Sequence, residues 1–243
     1  MTTVVAHRGF AGANPENTVA AVRSAAAHAD RVEVDVTACA DGTPVVFHDS
    51  RLDDRGESRG ITDGTGAVRE LPPETVTAAT VCPSDEQVPT LSDLCEATAV
   101  PLDVELKHPG AGTRHRGSLP PADRDAARER WAPFVDRVRG AVGDRDVRIS
   151  SFYEGALAAV RAEGPDARLA ALCRDLPTGR TLADRYDAEA IHASLSAVRD
   201  ADLSAVDRTV NVWTVRTWQE AVAAGTAGAD GLIADYPGLA SRA

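Results

Sequence analysis

The residues of this chain best suited to chemistry are acidic and lie two apart. Glu33-Val34-Asp35 is one such triplet, and Leu102-Asp103-Val104-Glu105-Leu106-Lys107 extends the same alternation. On a β-strand, residues i and i+2 point to one face. Glu33 and Asp35 therefore project together while Val32, Val34 and Val36 pack behind them, and Asp103, Glu105 and Lys107 share a face in the same way. Burying two like charges side by side is costly unless something neutralises them. A hard cation such as Mg²⁺ or Ca²⁺, which favours oxygen ligands, would do so, with Glu105 as a third ligand. Lys107, nearer the carboxyl end of its strand, would reach an anionic substrate, and Asp103 would support from deeper in the fold. Each motif alone also has a plainer explanation, either carboxylates paired with arginine or a Glu105–Lys107 pair that neutralises itself.

Two histidines occupy comparable positions. His7 closes the first apolar run and precedes Arg8-Gly9; His48 closes another and precedes Asp49. An imidazole titrating near pH 6.5 serves as general acid or general base at neutral pH. Arg8 offers a planar fork for phosphate oxygens, and Gly9 permits a close backbone approach. A lone histidine at a strand end is commonly a structural hydrogen-bonding residue, so the functional reading rests on the joint pattern.

These residues need a scaffold that brings strand ends together. Strands are expected at Thr3–His7, Val32–Val36, Val45–His48, Leu102–Lys107, Val147–Phe152, Leu169–Cys173, Ala190–Ser194, Val210–Val215 and Gly231–Ala234. Alanine-rich helical stretches lie between most of them, for example Thr18–His28, Leu91–Thr98, Ala122–Val142, Glu154–Ala162 and Thr217–Ala224. Such alternation predicts βαβ units on a parallel sheet. The few residues between Val36 and Val45, with Asp41-Gly42 among them, are too few for a parallel crossover and read as a hairpin turn. Setting that extra strand aside leaves eight, the number of an α/β (β/α)₈ TIM barrel, whose active sites lie at the carboxyl ends of the strands. A doubly wound open sheet would want a glycine-rich phosphate loop after the first strand, and none follows His7-Arg8-Gly9. Residues 49–90 are polar and glycine-rich and read as a small insertion capping the catalytic face of a single domain over 1–243. His108–Pro121 reads as a loop beside the mouth, mobile without ligand.

Composition narrows the partners. A chain of 243 residues suits one such barrel, for which about 250 is typical. Its net charge of −11 and pI near 5.0 exclude a nucleic-acid or anionic-membrane surface as the main partner. An anionic small molecule would need local positive charge, from a metal, Arg or Lys. Cys39, Cys82, Cys95 and Cys173 have neither zinc nor C-x-x-C spacing and are expected as free thiols. Neither a signal peptide nor an apolar run long enough to span a membrane is visible, so a cytoplasmic protein without stable membrane association is expected. Oligomeric state is not legible.

Taken in order, the motifs resemble the glycerophosphodiester phosphodiesterase family. They are His7-Arg8-Gly9, Asn14-Pro15-Glu16-Asn17-Thr18, Glu33-Val34-Asp35-Val36, Asp41 through Asp49, Asp63-Gly64-Thr65-Gly66, Val88-Pro89-Thr90-Leu91, Asp103 through Lys107, Ser150-Ser151-Phe152, Val212-Trp213-Thr214-Val215 and Gly228 through Pro237. The resemblance implies a TIM barrel that hydrolyses small phosphodiesters to glycerol 3-phosphate and an alcohol. It implies Glu33, Asp35 and Glu105 as ligands of Mg²⁺ or Ca²⁺, His7 and His48 as the acid–base pair, and Arg8 and Lys107 as phosphate binders. It further implies Trp213 against the glycerol end, with Glu16 and Asn17 as loop-bracing and helix-capping residues. Three departures bear on substrate choice. Arg216 stands where the family usually has Asn, Ala234 where Thr is common, and Leu52 through Gly60 depart from the usual pattern. A lysophospholipase D-like activity is the alternative within the enzyme class. A catalytically dead ligand-binding barrel is the alternative outside it; that reading would call for loss of a histidine or a metal carboxylate, and all five are present.

Overall fold

The computed structural model describes residues 2–108, 115–199 and 201–239. Nine strands run in chain order: β1 (Thr3–Ala6), β2 (Arg31–Ala38), β3 (Pro44–Val46), β4 (Leu102–Leu106), β5 (Val147–Ser151), β6 (Arg168–Cys173), β7 (Ala190–Ser194), β8 (Thr209–Val215) and β9 (Gly231–Ala234). All of them fall on expected segments, with ends moved by one or two residues. His7, His48 and Lys107 thereby leave the strands and stand just beyond their carboxyl ends. Eight strands are parallel and close through β1, which pairs with both β9 and β2. β3 is the extra strand, antiparallel to β2 with Val36 opposite Val46. The hairpin follows from chain length, since the turn at Asp41–Thr43 leaves no room for a crossover helix.

The described residues form eight α-helices: α1 (Val19–Ala25), α2 (Pro73–Thr77), α3 (Leu91–Ala97), α4 (Arg124–Val142), α5 (Glu154–Glu163), α6 (Leu176–Arg185), α7 (Leu195–Val198) and α8 (Trp218–Thr226). Several begin on side-chain caps that satisfy a free backbone N–H. Thr18 caps α1 through Ala21 N (3.1 Å), and Thr217 and Glu220 form a reciprocal capping box at α8. The outward faces of the strands and the inner faces of these helices make the main core. Val34, Val104, Leu169, Ile191 and Val212 lie against Val22, Leu94, Trp131, Leu157 and Leu182 from the helical layer.

Within the barrel the fill includes many polar side chains, with aliphatic ones such as Leu172 and Ile233 among them. Toward the amino-terminal end, Asp103 is clamped by Arg31 Nε (2.6 Å) and Arg148 Nη2 (2.8 Å), with His192 and Asn211 beside it. This layer, in which the half-exposed Asp146 and Glu189 also pair with Arg31 and Arg148, is the floor on which the site stands, and Asp103 lies in it below the carboxylate cluster. Residues 49–90 carry a small core of their own, where Leu52, Val68, Val76, Val81 and Val88 pack on Val45 and Phe47 of the hairpin. The mobility expected for His108–Pro121 falls in part on residues 109–114, which lie outside the described residues. From His115 onward the loop is tied to the barrel: Gly117 N–H donates to Phe152 O (2.8 Å), and Leu119 N–H donates to the fully buried Glu154 carboxylate.

Candidate active site

Strand register assembles the acidic cluster. β2 and β4 pair so that Asp35 lies opposite Glu105, and Glu33, two residues earlier on β2, shares their inward face. Oxygen atoms of Glu33, Asp35 and Glu105 come within 4.8 Å of one another, and all three residues are buried. Two cations face them. Lys107 Nζ lies 2.5 Å from Glu105 Oε1 and 2.8 Å from Asp35 Oδ1. Arg8 Nε lies 3.0 Å from Asp35 Oδ2, while its Nη1 donates to Glu16 Oε1 (2.9 Å). Lys107 thus makes the pairing with Glu105 that the plainer reading anticipated, and it holds Asp35 as well.

The cluster is still not self-sufficient. Three carboxylates against two cations leave an excess of negative charge. Glu33 Oε1 is buried without a hydrogen-bond partner, and Asp35 Oδ1, although close to Lys107, accepts no well-aligned hydrogen bond. Burial, reinforced by the charges of Asp35 and Glu105, pushes the Glu33 carboxyl well above its ordinary range. Burial works against the Asp35 charge too, but Lys107 and Arg8 outweigh it and hold that carboxyl well below its ordinary range. An orphaned carboxylate oxygen beside two other oxygen donors fits a single hard divalent cation.

The turn after β1 brings in His7 and Arg8. Arg8, Gly9 and Phe10 all take left-handed backbone conformations, with φ of 51°, 77° and 63°. Such angles are unusual for non-glycine residues and are held here by the surroundings. Gly9 is required twice over, since a Cβ there would lie 2.7 Å from Ala21 Cβ on α1. The turn aims Arg8 N–H at Glu33 Oε2 (3.0 Å) while the Arg8 side chain crosses to Asp35.

Each histidine is oriented by a carboxylate through the same ring nitrogen. His7 Nδ1 lies 2.6 Å from Asp235 Oδ1, and His48 Nδ1 lies 2.6 Å from Asp49 Oδ1. With Nδ1 donating, Nε2 is the nitrogen left for proton transfer. The carboxylates are themselves held: Asp235 accepts from Arg216 Nε (2.8 Å), and Asp49 accepts from Arg59 backbone N–H (2.8 Å) and Nε (3.1 Å). Burial lowers the pKa of His7, an effect that its Asp235 partner only partly offsets. Burial would raise Asp49, but the bonds from His48 and Arg59 hold its carboxyl well below the ordinary range.

His7, Arg8, Glu33, His48, Glu105, Lys107 and Trp213 all line one cavity of about 200 Å³, whereas Asp35 lies directly beneath, on Arg8 and Lys107. These eight side chains therefore lie in one place, while Asp103 stands below them in the floor layer. Several partners were not singled out. Asp235 and Asp49 were legible only as neighbours within quoted motifs. Arg59 bridges Asp49 and Glu16 (2.7 Å to Glu16 Oε1) from the divergent stretch after residue 49, where no spacing rule points to it. Asn17 corrects an expectation: it is not a helix cap, a role that belongs to Thr18. It donates through Nδ2 to Asp35 Oδ2 (2.9 Å) and accepts from Asp35 N–H (3.1 Å), bracing the buried carboxylate.

Comparison with known proteins agrees with this geometry. The model of the glycerophosphoryl diester phosphodiesterase family matches residues 7–239. An uncharacterized Bacillus subtilis protein, YqiK, is 31% identical over 99% of this chain and 98% of its own length. A glycerophosphodiester phosphodiesterase of Bacillus altitudinis is 27% identical over 100% of this chain and 98% of its own. Among solved structures, an Oleispira antarctica phosphodiesterase in complex with the product sn-glycerol-3-phosphate superimposes with a TM-score of 0.80 at 25% identity. That match covers 99% of this chain and 96% of the other.

Proposed function

Because the chain belongs to the glycerophosphoryl diester phosphodiesterase family, we propose that it hydrolyses glycerophosphodiesters to glycerol 3-phosphate and an alcohol, with His7 and His48 as the acid–base pair. The observation that carries this reading is the pair of His–Asp couples opening onto one cavity beside a carboxylate triad. The related phosphodiesterase that holds sn-glycerol-3-phosphate supports the product class.

Glu33, Asp35 and Glu105 would hold one divalent cation, Mg²⁺ or Ca²⁺. When bound, such an ion acts as a Lewis acid that offsets charge on the phosphoryl oxygens. The chain's own residues do the rest. Lys107 has three N–H donors; one goes to Glu105 while the ammonium also pairs with Asp35 by charge, which leaves donor capacity for a phosphate oxygen in the cavity that Lys107 lines. The left-handed turn holds Arg8 at the same wall. One imidazole takes the proton of the nucleophile, either water or a neighbouring substrate hydroxyl, and the other delivers a proton to the leaving alkoxide. Asp235 and Asp49 fix the tautomers this requires. Trp213, anchored by its Nε1–H donating to His192 O (2.8 Å), offers a flat apolar surface to the glycerol end. Residues 49–90 act as the cap, supplying Asp49 and Arg59 to the site.

Product analysis tests the proposal. Incubation of the protein and Mg²⁺ with glycerophosphoethanolamine and glycerophosphoglycerol should release glycerol 3-phosphate and the free alcohol, resolved by ³¹P NMR. Turnover of a lysophospholipid with neither glycerophosphodiester cleaved would contradict it.

A further inference from the structure

Beyond the carboxylates and histidines, the cavity lining is aromatic and cationic. Phe152, just past β5, and Trp213 of β8 meet edge to face, with ring centroids 5.5 Å apart and planes at 84°. The guanidinium of Arg174, one residue past β6, lies 5.7 Å from the Phe152 centroid and 5.4 Å from that of Trp213. The Arg116 guanidinium lies 5.3 Å from the Phe152 centroid, on the loop segment pinned by Gly117 N–H to Phe152 O. All four side chains line the same cavity as the histidines.

The charge state of these arginines sets them apart. Arg8, Lys107 and Arg216 each face a carboxylate. Among the described residues, Arg116 and Arg174 have no carboxylate partner, and each guanidinium lies over a ring instead. Aromatic faces at a site mouth commonly bind quaternary ammonium groups. Here two of the protein's own cations already lie beside these rings, so a choline-like group at the same place would meet repulsion where it would otherwise be held. A guanidinium held over a ring without a carboxylate partner has N–H donors to offer, and its planar fork matches phosphate or carboxylate oxygens.

We propose that Arg116 and Arg174, seated on Phe152 and Trp213, form a second anion subsite. It takes a further phosphate or carboxylate carried by the substrate and disfavours a quaternary ammonium. The inference rests on the phosphodiester reading of the adjoining site and deepens it: the favoured substrates are diesters bearing a second anionic group.

The test compares two ligands on one carbon skeleton. Affinities of glycerol 3-phosphate and glycerol 1,3-bisphosphate would be measured by calorimetry at low salt with excess Mg²⁺, for the wild-type protein and the Arg116→Gln/Arg174→Gln double variant. The bisphosphate should bind about tenfold tighter to the wild type, the scale of a few charge-assisted hydrogen bonds at a partly exposed site, and the ratio should fall to about one in the double variant. A purely structural role would weaken both ligands alike and preserve the ratio. Equal affinities in the wild type, or an advantage that survives in the double variant, would overturn the subsite. A parallel arm compares kcat/KM for glycerophosphocholine and for glycerophosphoglycerol phosphorylated on its distal hydroxyl, with at least a tenfold preference expected for the latter; a preference for choline would also overturn it. Should neither diester be cleaved while the bisphosphate keeps its advantage, the hydrolase reading falls and the subsite stands.

Discussion

His7 Nδ1 and Asp235 Oδ1 lie 2.6 Å apart across the seam where the barrel closes. β1 and β9 pair with Ala6 opposite Ala234, so the next residue on each strand, His7 and Asp235, meets its partner at the carboxyl-terminal rim. The first and last strands thus jointly make one His–Asp couple. Asp235→Asn keeps the shape but can present an N–H to Nδ1, favouring the tautomer with its proton on Nε2. A kcat loss of about 10²-fold is expected, the scale of acid–base assistance, with little change in thermal stability. Steady-state kinetics and a melting curve check both points; near-normal turnover would remove Asp235, and with it the assigned role of His7.

Arg59 should matter although it contacts neither histidine. It holds Asp49, the partner of His48, and also Glu16, the partner of Arg8. Arg59→Gln is expected to lower kcat/KM by about 10-fold or more, as loss of an outer supporting contact often does. Arg59→Lys should recover only part of it, because an ammonium does not reproduce the guanidinium's planar fork. Full activity in Arg59→Gln would show that His48 is oriented without it.

Divalent cation should stabilise the fold. Glu33, Asp35 and Glu105 outnumber Arg8 and Lys107, and Glu33 Oε1 has no hydrogen bond. An ion bound at about 100 times its Kd contributes about 2.7 kcal/mol, or roughly 5–10 °C in Tm for a chain of this size. The shift should vanish in Glu105→Gln. A melting temperature indifferent to millimolar Mg²⁺ and Ca²⁺ would count against the triad as a metal site.

The floor of the barrel carries a pH dependence of its own. His192 is fully buried, and burial together with the nearby Arg148 charge depresses its pKa to about 3, against the partial support of Asp103. The folded state therefore takes up this proton only near pH 3, whereas the unfolded chain takes it up near pH 6.5. Stability from this group is whole above pH 6.5 and is lost as pH falls below it, by about 1.4 kcal/mol per unit. Between pH 6.5 and 5 the wild type should lose roughly 2 kcal/mol relative to His192→Gln. Urea unfolding at both pH values measures this; a difference between the two proteins that does not change with pH would show that His192 is not held neutral.

Much of this was legible because barrel strands obey a period of two. Spacing alone put Glu33 and Asp35 on one face of β2 and Glu105 and Lys107 on one face at β4, and the short link from Val36 to Val45 excluded a crossover; that the two faces meet follows from strand register. What was illegible depends on contacts between distant segments. Nothing near Arg59 indicates that it reaches Glu16, 43 residues earlier. The resemblance implies a cap at Asn17, but Asn17 has a positive φ of 60° and its side chain bonds Asp35, 18 residues on, a contact no local spacing reveals. α6 was not marked from the sequence: Leu176-Pro177 opens it and Gly179 interrupts its pattern. Arg174 and Arg116 carried no motif, since a stack on Phe152 depends on which strand ends become neighbours.

The central claim is that the two His–Asp couples and the carboxylate triad act together on a glycerophosphodiester. The most direct test is release of glycerol 3-phosphate from glycerophosphoglycerol by the wild type, His7→Ala and His48→Ala, each stripped with chelator and then given Mg²⁺ or Ca²⁺. Stripped wild type should show no turnover, one of the two ions should restore it, and each histidine variant should lose about 10²-fold or more with metal present. Turnover that survives chelation, or a histidine variant as fast as wild type, would contradict it.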